Sequence, residues 1–137
     1  MSDFLKGKNI LDIKIAEDSK AILFKCDDGD HVVLADADCC SETWIEHIET
    51  PAGGFPCHVF STKELDLGEI TKHDYDVIAL YGYKIETSKG DIDIDFRNAS
   101  NGYYGGNLVW PDEEGSFYGG VHGQNVSDQK WIDLEEK

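Results

Sequence analysis

Two segments of the chain have the form strand, glycine turn, strand, and they restrict it to a fold built from β-hairpins. In residues 20–36 the apolar runs AILF and VVLA flank Asp-Asp-Gly-Asp at positions 27–30. In residues 75–98 a Lys-Gly turn at positions 89–90 separates two strand-like runs. A glycine between apolar runs is typical of hairpins because it accepts the positive φ that tight turns require. Whether the two hairpins arose by duplication stays open.

Two other segments carry helical signals. Residues 41–50, SETWIEHIET, contain a capping box from Thr43 to Glu46 and predict a helix. Its apolar face would comprise Trp44, Ile45 and Ile48. Residues 127–137 offer a polar cap followed by Trp131 and Leu134 three positions apart, which predicts a short C-terminal helix. Residues 61–70, STKELDLGEI, are interpreted as a short turn.

Residues 9–18, NILDIKIAED, predict a further strand. We therefore expect an α+β fold that is strand-dominated: a twisted, mainly antiparallel sheet of about six strands with one or two short helices on a face. We expect a single domain over residues 1–137, because this length can bury one core and no linker rich in Pro, Ser and Gly divides the apolar residues.

The net charge limits the partners that such a chain can bind. The sequence has 28 acidic residues against 12 Lys and Arg, a formal charge of −16. Residues 26–50 contain eight acids and no Lys or Arg, and residues 98–129 again contain no Lys or Arg. Such a surface repels phosphate backbones and anionic lipids. We therefore expect no direct binding to nucleic acid or membrane, and attraction to basic proteins or cations.

The segment GDIDIDF at 90–96 is the most regular acidic pattern. In a strand its three aspartates point to one face, about 6.5–7 Å apart, which resembles the spacing of phosphates along a nucleic-acid strand. The alternatives are a solvated face that prevents edge pairing and a site for a hard cation, although the EF-hand pattern is not completed. The candidate protein-binding residues are Asp91, Asp93 and Asp95, Asp27, Asp28 and Asp30 at the other hairpin, and Asp112, Glu113 and Glu114.

The only arginine, Arg97, has two interpretations. The first is that Arg97, in a chain with so many carboxylates, forms several ion pairs that join neighbouring strands. Alternatively, Arg97, Tyr103 and Tyr104 form a pocket for a small anionic ligand such as a nucleotide signal, with nearby glycines allowing close backbone approach. The tract has no Walker-type lysine and no G-x-G-x-x-G after a strand, so support for a phosphate-binding loop is weak.

The four cysteines do not have a recognisable catalytic or metal spacing. Cys39 and Cys40 are adjacent, whereas paired zinc cysteines usually have two to four residues between them. A zinc site assembled through space from Cys40 and His47 with Cys57 or His58 is the alternative. Acidic neighbours oppose a Cys40 thiolate, and no G-x-S-x-G or H-E-x-x-H motif is present. We expect no catalytic residue, metal or cofactor, and interpret the thiols as small buried groups.

The location follows from what the sequence lacks. The start, MSDFLKGKNI, has no apolar run of a secretory signal. No window approaches the 18 or so apolar residues that a membrane helix needs. We expect a cytoplasmic protein, in which disulfides are rare.

Two segments resemble a group of small uncharacterised proteins encoded by bacteriophages and their bacterial hosts. The first segment is Asp-Cys-Cys-Ser at 38–41 with Trp44, after one strand pair. The second is RNASNGYYGG at 97–106, after another. The resemblance covers most of residues 9–110 and not the tail beyond Trp110. It implies an accessory protein acting in a host cytoplasm, and it implies no catalytic residue.

Together these observations predict a non-enzymatic acidic interaction protein. As a counter-defence or host-takeover inhibitor, it would mimic the charge of nucleic acid and block a basic, nucleic-acid-binding host protein. The small-ligand binder that uses Arg97 and the Tyr/Gly tract is the alternative, and a structural Cys/His metal protein is a further one. The oligomeric state is not predicted.

Overall fold

A computed structural model describes residues 3–37, 41–72, 76–100, 106–111 and 130–136. Within these ranges the chain is almost entirely β-strand, and a single 3-10 turn at Leu134–Glu136 is its helical element. The nine strands are β1 (Asn9–Ala16), β2 (Ala21–Cys26), β3 (Gly29–Ala37), β4 (Glu42–Glu49), β5 (Cys57–Lys72), β6 (Asp76–Thr87), β7 (Gly90–Ser100), β8 (Gly106–Val109) and β9 (Trp131–Asp133).

The strands form one antiparallel sheet in the order β4-β7-β6-β5-β1-β2-β3-β8, with β9 paired to β1. The two halves of this order meet where β1 pairs with the beginning of β5, at Ile10 opposite Cys57. Both predicted hairpins are confirmed, and the strand predicted at residues 9–18 is confirmed over Asn9–Ala16. The turn glycines, Gly29 and Gly90, have φ of 125° and 117°. These values explain why glycine is required at both turns.

The core lies between the two halves of the sheet, which curl to face each other. Trp110 is 1% exposed and stacks on Phe24 of β2, with ring centroids 5.7 Å apart. On its other side it contacts Tyr83 of β6 at 4.9 Å. Since β2 and β6 belong to different halves, this aromatic trio joins them into one apolar cluster.

A small polar cluster lies where β8 approaches β4 and β7. Asn98 is fully buried and donates a hydrogen bond to Thr43 Oγ1 at 3.0 Å. Gly106 lies directly against this pair, because a Cβ built at Gly106 would collide with Thr43 Oγ1 and lie 2.8 Å from Asn98 Nδ2. The close approach of β8 therefore depends on the missing side chain at position 106.

The prediction of an α+β fold is wrong, because the described residues contain no α-helix. Residues 41–50, predicted to be a helix, contain β4. Thr43 and Ile45 point inward two positions apart, as a strand requires, but a bulge between Ile45 and His47 makes Ile48 the next buried residue. The bulge therefore produced a three-residue apolar spacing that imitates a helical face.

Two further predictions at the local level are also wrong. Residues 61–70, interpreted as a short turn, belong to the long strand β5, in which Gly68 adopts a φ of 94° near a register shift. The predicted C-terminal helix is replaced by β9 and the 3-10 turn, which place Trp131 opposite Ala16. The proposed cap at residues 127–128 lies outside the described residues.

Candidate acidic interaction face

The three aspartates of GDIDIDF form a row on the outer face of β7. Ile92 and Ile94 between them are buried, while Asp91 and Asp93 are exposed and Asp95 is half-buried. β7 is paired on both sides, with β4 and with β6. The row therefore does not protect a sheet edge, and hydrogen bonding along two neighbours holds its backbone in place.

Acids on the neighbouring strands widen this row. Asp91 lies opposite Glu86 of β6, and Asp93 lies opposite Glu49 of β4. We call Asp91, Asp93, Asp95, Glu49 and Glu86 the outer acidic face. Like charges directly opposite each other in a sheet are destabilising. This pairing reduces stability locally and is therefore a candidate for a functional feature.

Cations neutralise part of the outer acidic face. Lys84 of β6 lies opposite Asp93 and approaches Asp91, with Nζ and Oδ2 3.7 Å apart. Arg97 pairs with Asp95 at 3.3 Å and with Glu46 of β4 at 3.6 Å. The hydrogen bond from Arg97 to Asp95 raises the pKa of the guanidinium. Arg97 thus joins β7 to β4 through ion pairs.

Of the alternative small-ligand pocket, Arg97 is the member that the structure describes. Phe96 and Asn98 are buried, so Arg97 between them points outward. A cleft of about 420 Å³ lies on the inner side, where it is lined by Phe96, Tyr81, Tyr83 and Gly106 among others. Tyr103 and Tyr104 lie outside the described residues. Among the described residues, Arg97 and this aromatic cleft are therefore not brought together.

The acids of the first hairpin turn are engaged in local contacts. Asp28 accepts hydrogen bonds from Lys8 Nζ at 2.7 Å and contacts His31 Nε2 at 2.8 Å. These two partners lower the pKa of Asp28 to about 2. Asn9 Nδ2 donates to Asp27 at 2.8 Å, which lowers the pKa of that carboxyl too. Asp30 is exposed on β3.

Both hairpin turns lie at the same end of the molecule. Asn9, which holds Asp27, also contacts His58 Nδ1 through its Oδ1 at 2.9 Å. The backbone N–H of His58 donates to Ser88 Oγ at 3.0 Å, and Ser88 precedes the second turn. The structure thus places the acids at 27–30 near the start of the β7 row. Asp112, Glu113 and Glu114 lie outside the described residues.

The structure describes three members of the zinc alternative, His47, Cys57 and His58, and His58 Nδ1 contacts Asn9 Oδ1 at 2.9 Å. His47 is exposed on the outer face of β4 beside Glu49, whereas Cys57 is buried in the core, where burial raises the pKa of its thiol. These two side chains therefore face different environments. Cys39 and Cys40 lie outside the described residues.

Sequence reasoning missed a cluster at the first hairpin. Cys26, Asp28 and His31 bring one sulfur, one carboxylate oxygen and one ring nitrogen within 4.8 Å of one another. Burial, with a smaller contribution from Asp28, raises the pKa of the Cys26 thiol to about 12. The signal was present as Cys-x-Asp-x-x-His across a glycine turn, because a hairpin returns the chain to its starting point.

The fold and the outer face together define an all-β protein with an acidic exterior. Residues 3–110 match the model of a family described as a domain of unknown function, DUF7448, and the chain belongs to this family. It is also 34% identical over 101 residues to the uncharacterised protein L278 of Acanthamoeba polyphaga mimivirus, an alignment that covers 69% of this chain and 79% of that protein.

This relative is viral, which agrees with the expectation of an uncharacterised family of viral type. No solved structure matches the chain. Across the described ranges, none of the helical segments has the length and apolar character needed to cross a membrane.

Proposed function

We propose that this protein is a non-enzymatic interaction protein whose outer acidic face binds a basic protein that normally binds nucleic acid. Its carboxylates would occupy the positions that phosphates occupy in the natural complex. In this proposal the chain is a viral accessory protein that is encoded by a phage or prophage and acts in the cytoplasm of a host cell. A counter-defence or host-takeover inhibitor fits this mode of action.

One observation carries the proposal: the row Asp91, Asp93 and Asp95 stands on a strand that is hydrogen-bonded on both sides. A fixed row loses little backbone entropy when a partner binds, so less binding free energy is spent on ordering it. The high negative charge of the chain would add electrostatic steering, which increases association rates at low salt.

The internal ion pairs indicate where a partner would make its strongest contact. Asp91 and Asp95 are each approached by a cation of this chain, Lys84 and Arg97. Asp93 lies at the middle of the row, between Glu49 and Lys84 on the flanking strands. We therefore place Asp93 at the centre of the contact, with the opposing Glu49 adding negative charge.

A displacement assay tests the proposal. A purified basic protein that binds DNA without sequence preference is saturated with a fluorescent duplex, and the full chain is then added. The chain should release the duplex at low salt, where exposed charges are least screened. The proposal is contradicted if the chain displaces DNA from none of a panel of such proteins.

A matched pair of variants separates the row from the total charge. The triple variant D91N/D93N/D95N removes three negative charges from the row. E69Q/E135Q/E136Q removes the same number from exposed positions elsewhere. The first should lose displacement and the second should retain it. An equal loss of displacement in both variants would show that the total charge of the chain, and not the position of the row on β7, causes displacement.

A further inference from the structure

The first hairpin brings three different metal-ligating side chains to one place. Cys26 ends β2, Asp28 lies in the turn, and His31 is in β3. The register pairs Phe24 with His31 and Cys26 with Gly29, so Cys26 and His31 point to the same face of the hairpin. The three ligand atoms lie within 4.8 Å of one another.

The surroundings of this cluster hold two of the ligands in position. Lys8 Nζ binds Asp28 Oδ2 at 2.7 Å, which leaves Oδ1 directed at His31 Nε2, 2.8 Å away. The ring of Phe4 packs edge-on against the His31 ring, with centroids 4.9 Å apart. Both ligands are therefore oriented by contacts outside the cluster, as is usual around protein metal sites.

We propose that Cys26, Asp28 and His31 form a zinc site. A sulfur, an imidazole nitrogen and a carboxylate oxygen are the three donor types that zinc accepts, and three protein ligands with an open fourth position are a known arrangement. Zinc–ligand bonds of about 2.0–2.3 Å place tetrahedral ligands about 3.3–3.8 Å apart. A separation of 4.8 Å would have to shorten by about 1 Å, whereas the 2.8 Å contact between Asp28 Oδ1 and His31 Nε2 would lengthen by about 0.5 Å.

The binding step is balanced without any further reactant. The Cys26 Sγ–H proton passes to solvent and the sulfur lone pair binds the ion. His31 binds through Nε2 as the neutral tautomer that carries its proton on Nδ1, and Asp28 Oδ1 exchanges its contact with His31 for the ion. Cys26 is only 5% exposed, which disfavours a role as a nucleophile toward a bulky substrate.

Zinc titration of the full chain tests the proposal. The protein, stripped with a chelator, is titrated with zinc chloride against a chromophoric competitor, and cobalt chloride replaces zinc to reveal a sulfur-to-cobalt absorption band. We expect one equivalent of bound zinc and a sulfur band. C26S and H31Q should each lower the affinity at least ~10-fold, the lower end of the loss seen even for supporting partners of metal ligands.

The second buried cysteine supplies the control. Cys57 is 2% exposed and, within the described residues, belongs to no such cluster, so C57S should keep the zinc affinity. C40S tests the adjacent thiols in the same way. The His31 side chain is 18% exposed, so H31Q could also weaken folding. The thermal midpoint of the H31Q protein is therefore measured, and an unchanged midpoint shows that the loss of zinc is not a loss of folding. The proposal is overturned if the native chain binds no zinc at micromolar concentrations, or if C57S or C40S loses zinc while H31Q retains it.

Discussion

Substituting Gly106 by alanine tests how the two halves of the sheet close over the core. The new Cβ would collide with Thr43 Oγ1 and lie 2.8 Å from Asn98 Nδ2 and 3.0 Å from the carbonyl oxygen of Asp36. Overpacking of a buried site costs about 1–3 kcal/mol. Displacing the Asn98 amide also breaks its buried hydrogen bond to Thr43, at about 1–3 kcal/mol. We expect G106A to lower the free energy of unfolding by about 2–6 kcal/mol.

Urea unfolding at equilibrium measures this effect through the midpoint and the slope of the transition. Gly82 is the matched control, because it is also a strand glycine but the three atoms nearest to its new Cβ are side-chain atoms of Leu65 and Leu67, at 3.3–3.4 Å. These flexible side chains can move, so G82A should change stability by less than about 1 kcal/mol. A cost for G106A as small as that for G82A would refute the close approach of β8 to β4 and β7.

Three further predictions concern other parts of the fold. Because Ile48 is buried after the bulge, I48A should destabilise the protein by about 2–5 kcal/mol in urea unfolding. E46A should cost under about 1 kcal/mol, and equal effects would contradict the burial of Ile48. Asp133 raises the pKa of Lys14 above 10.5 through a hydrogen bond, so this contribution to stability is complete below pH 10.5 and is lost as the pH rises through the folded pKa. NMR titration should show the Lys14 pKa falling toward 10.5 in D133N, and an unchanged value would contradict the contact. Cys57 is buried with a raised pKa, so a thiol reagent at pH 8 should modify it only on unfolding, and rapid labelling of the native protein, detected by mass spectrometry, would contradict its burial.

The elements that the sequence predicted were those specified by local chemistry. Gly29 and Gly90 occupy positive-φ positions that other residues rarely adopt, so both hairpins could be recognised. The alternation in GDIDIDF likewise placed its isoleucines inward and its aspartates outward. A period of two is specific when no bulge interrupts it.

The features that were missed depend on a bulge and on three-dimensional contacts, which the order of residue types along the chain does not show. The bulge after Ile45 changed the apolar spacing of β4 to that of a helix, and the aromatic and β-branched content of the segment was the better guide. Arg97 and the aromatic cleft lie on different faces of the sheet, because Arg97 alternates along β7 with the buried Phe96 and Asn98. The clustering of Cys26 with Asp28 and His31 becomes visible only when the hairpin is folded in three dimensions.

The salt dependence of binding shows whether the carboxylate row on β7 forms the binding surface. A fluorescent arginine-rich peptide serves as the basic probe, and its affinity for the full chain is measured between 50 mM and 500 mM salt. We expect the affinity to fall steeply with salt for the native protein, much less steeply for D91N/D93N/D95N, and with the native slope for E69Q/E135Q/E136Q. The same slope in all three proteins would contradict the claim that a row of carboxylates on β7 forms the binding surface.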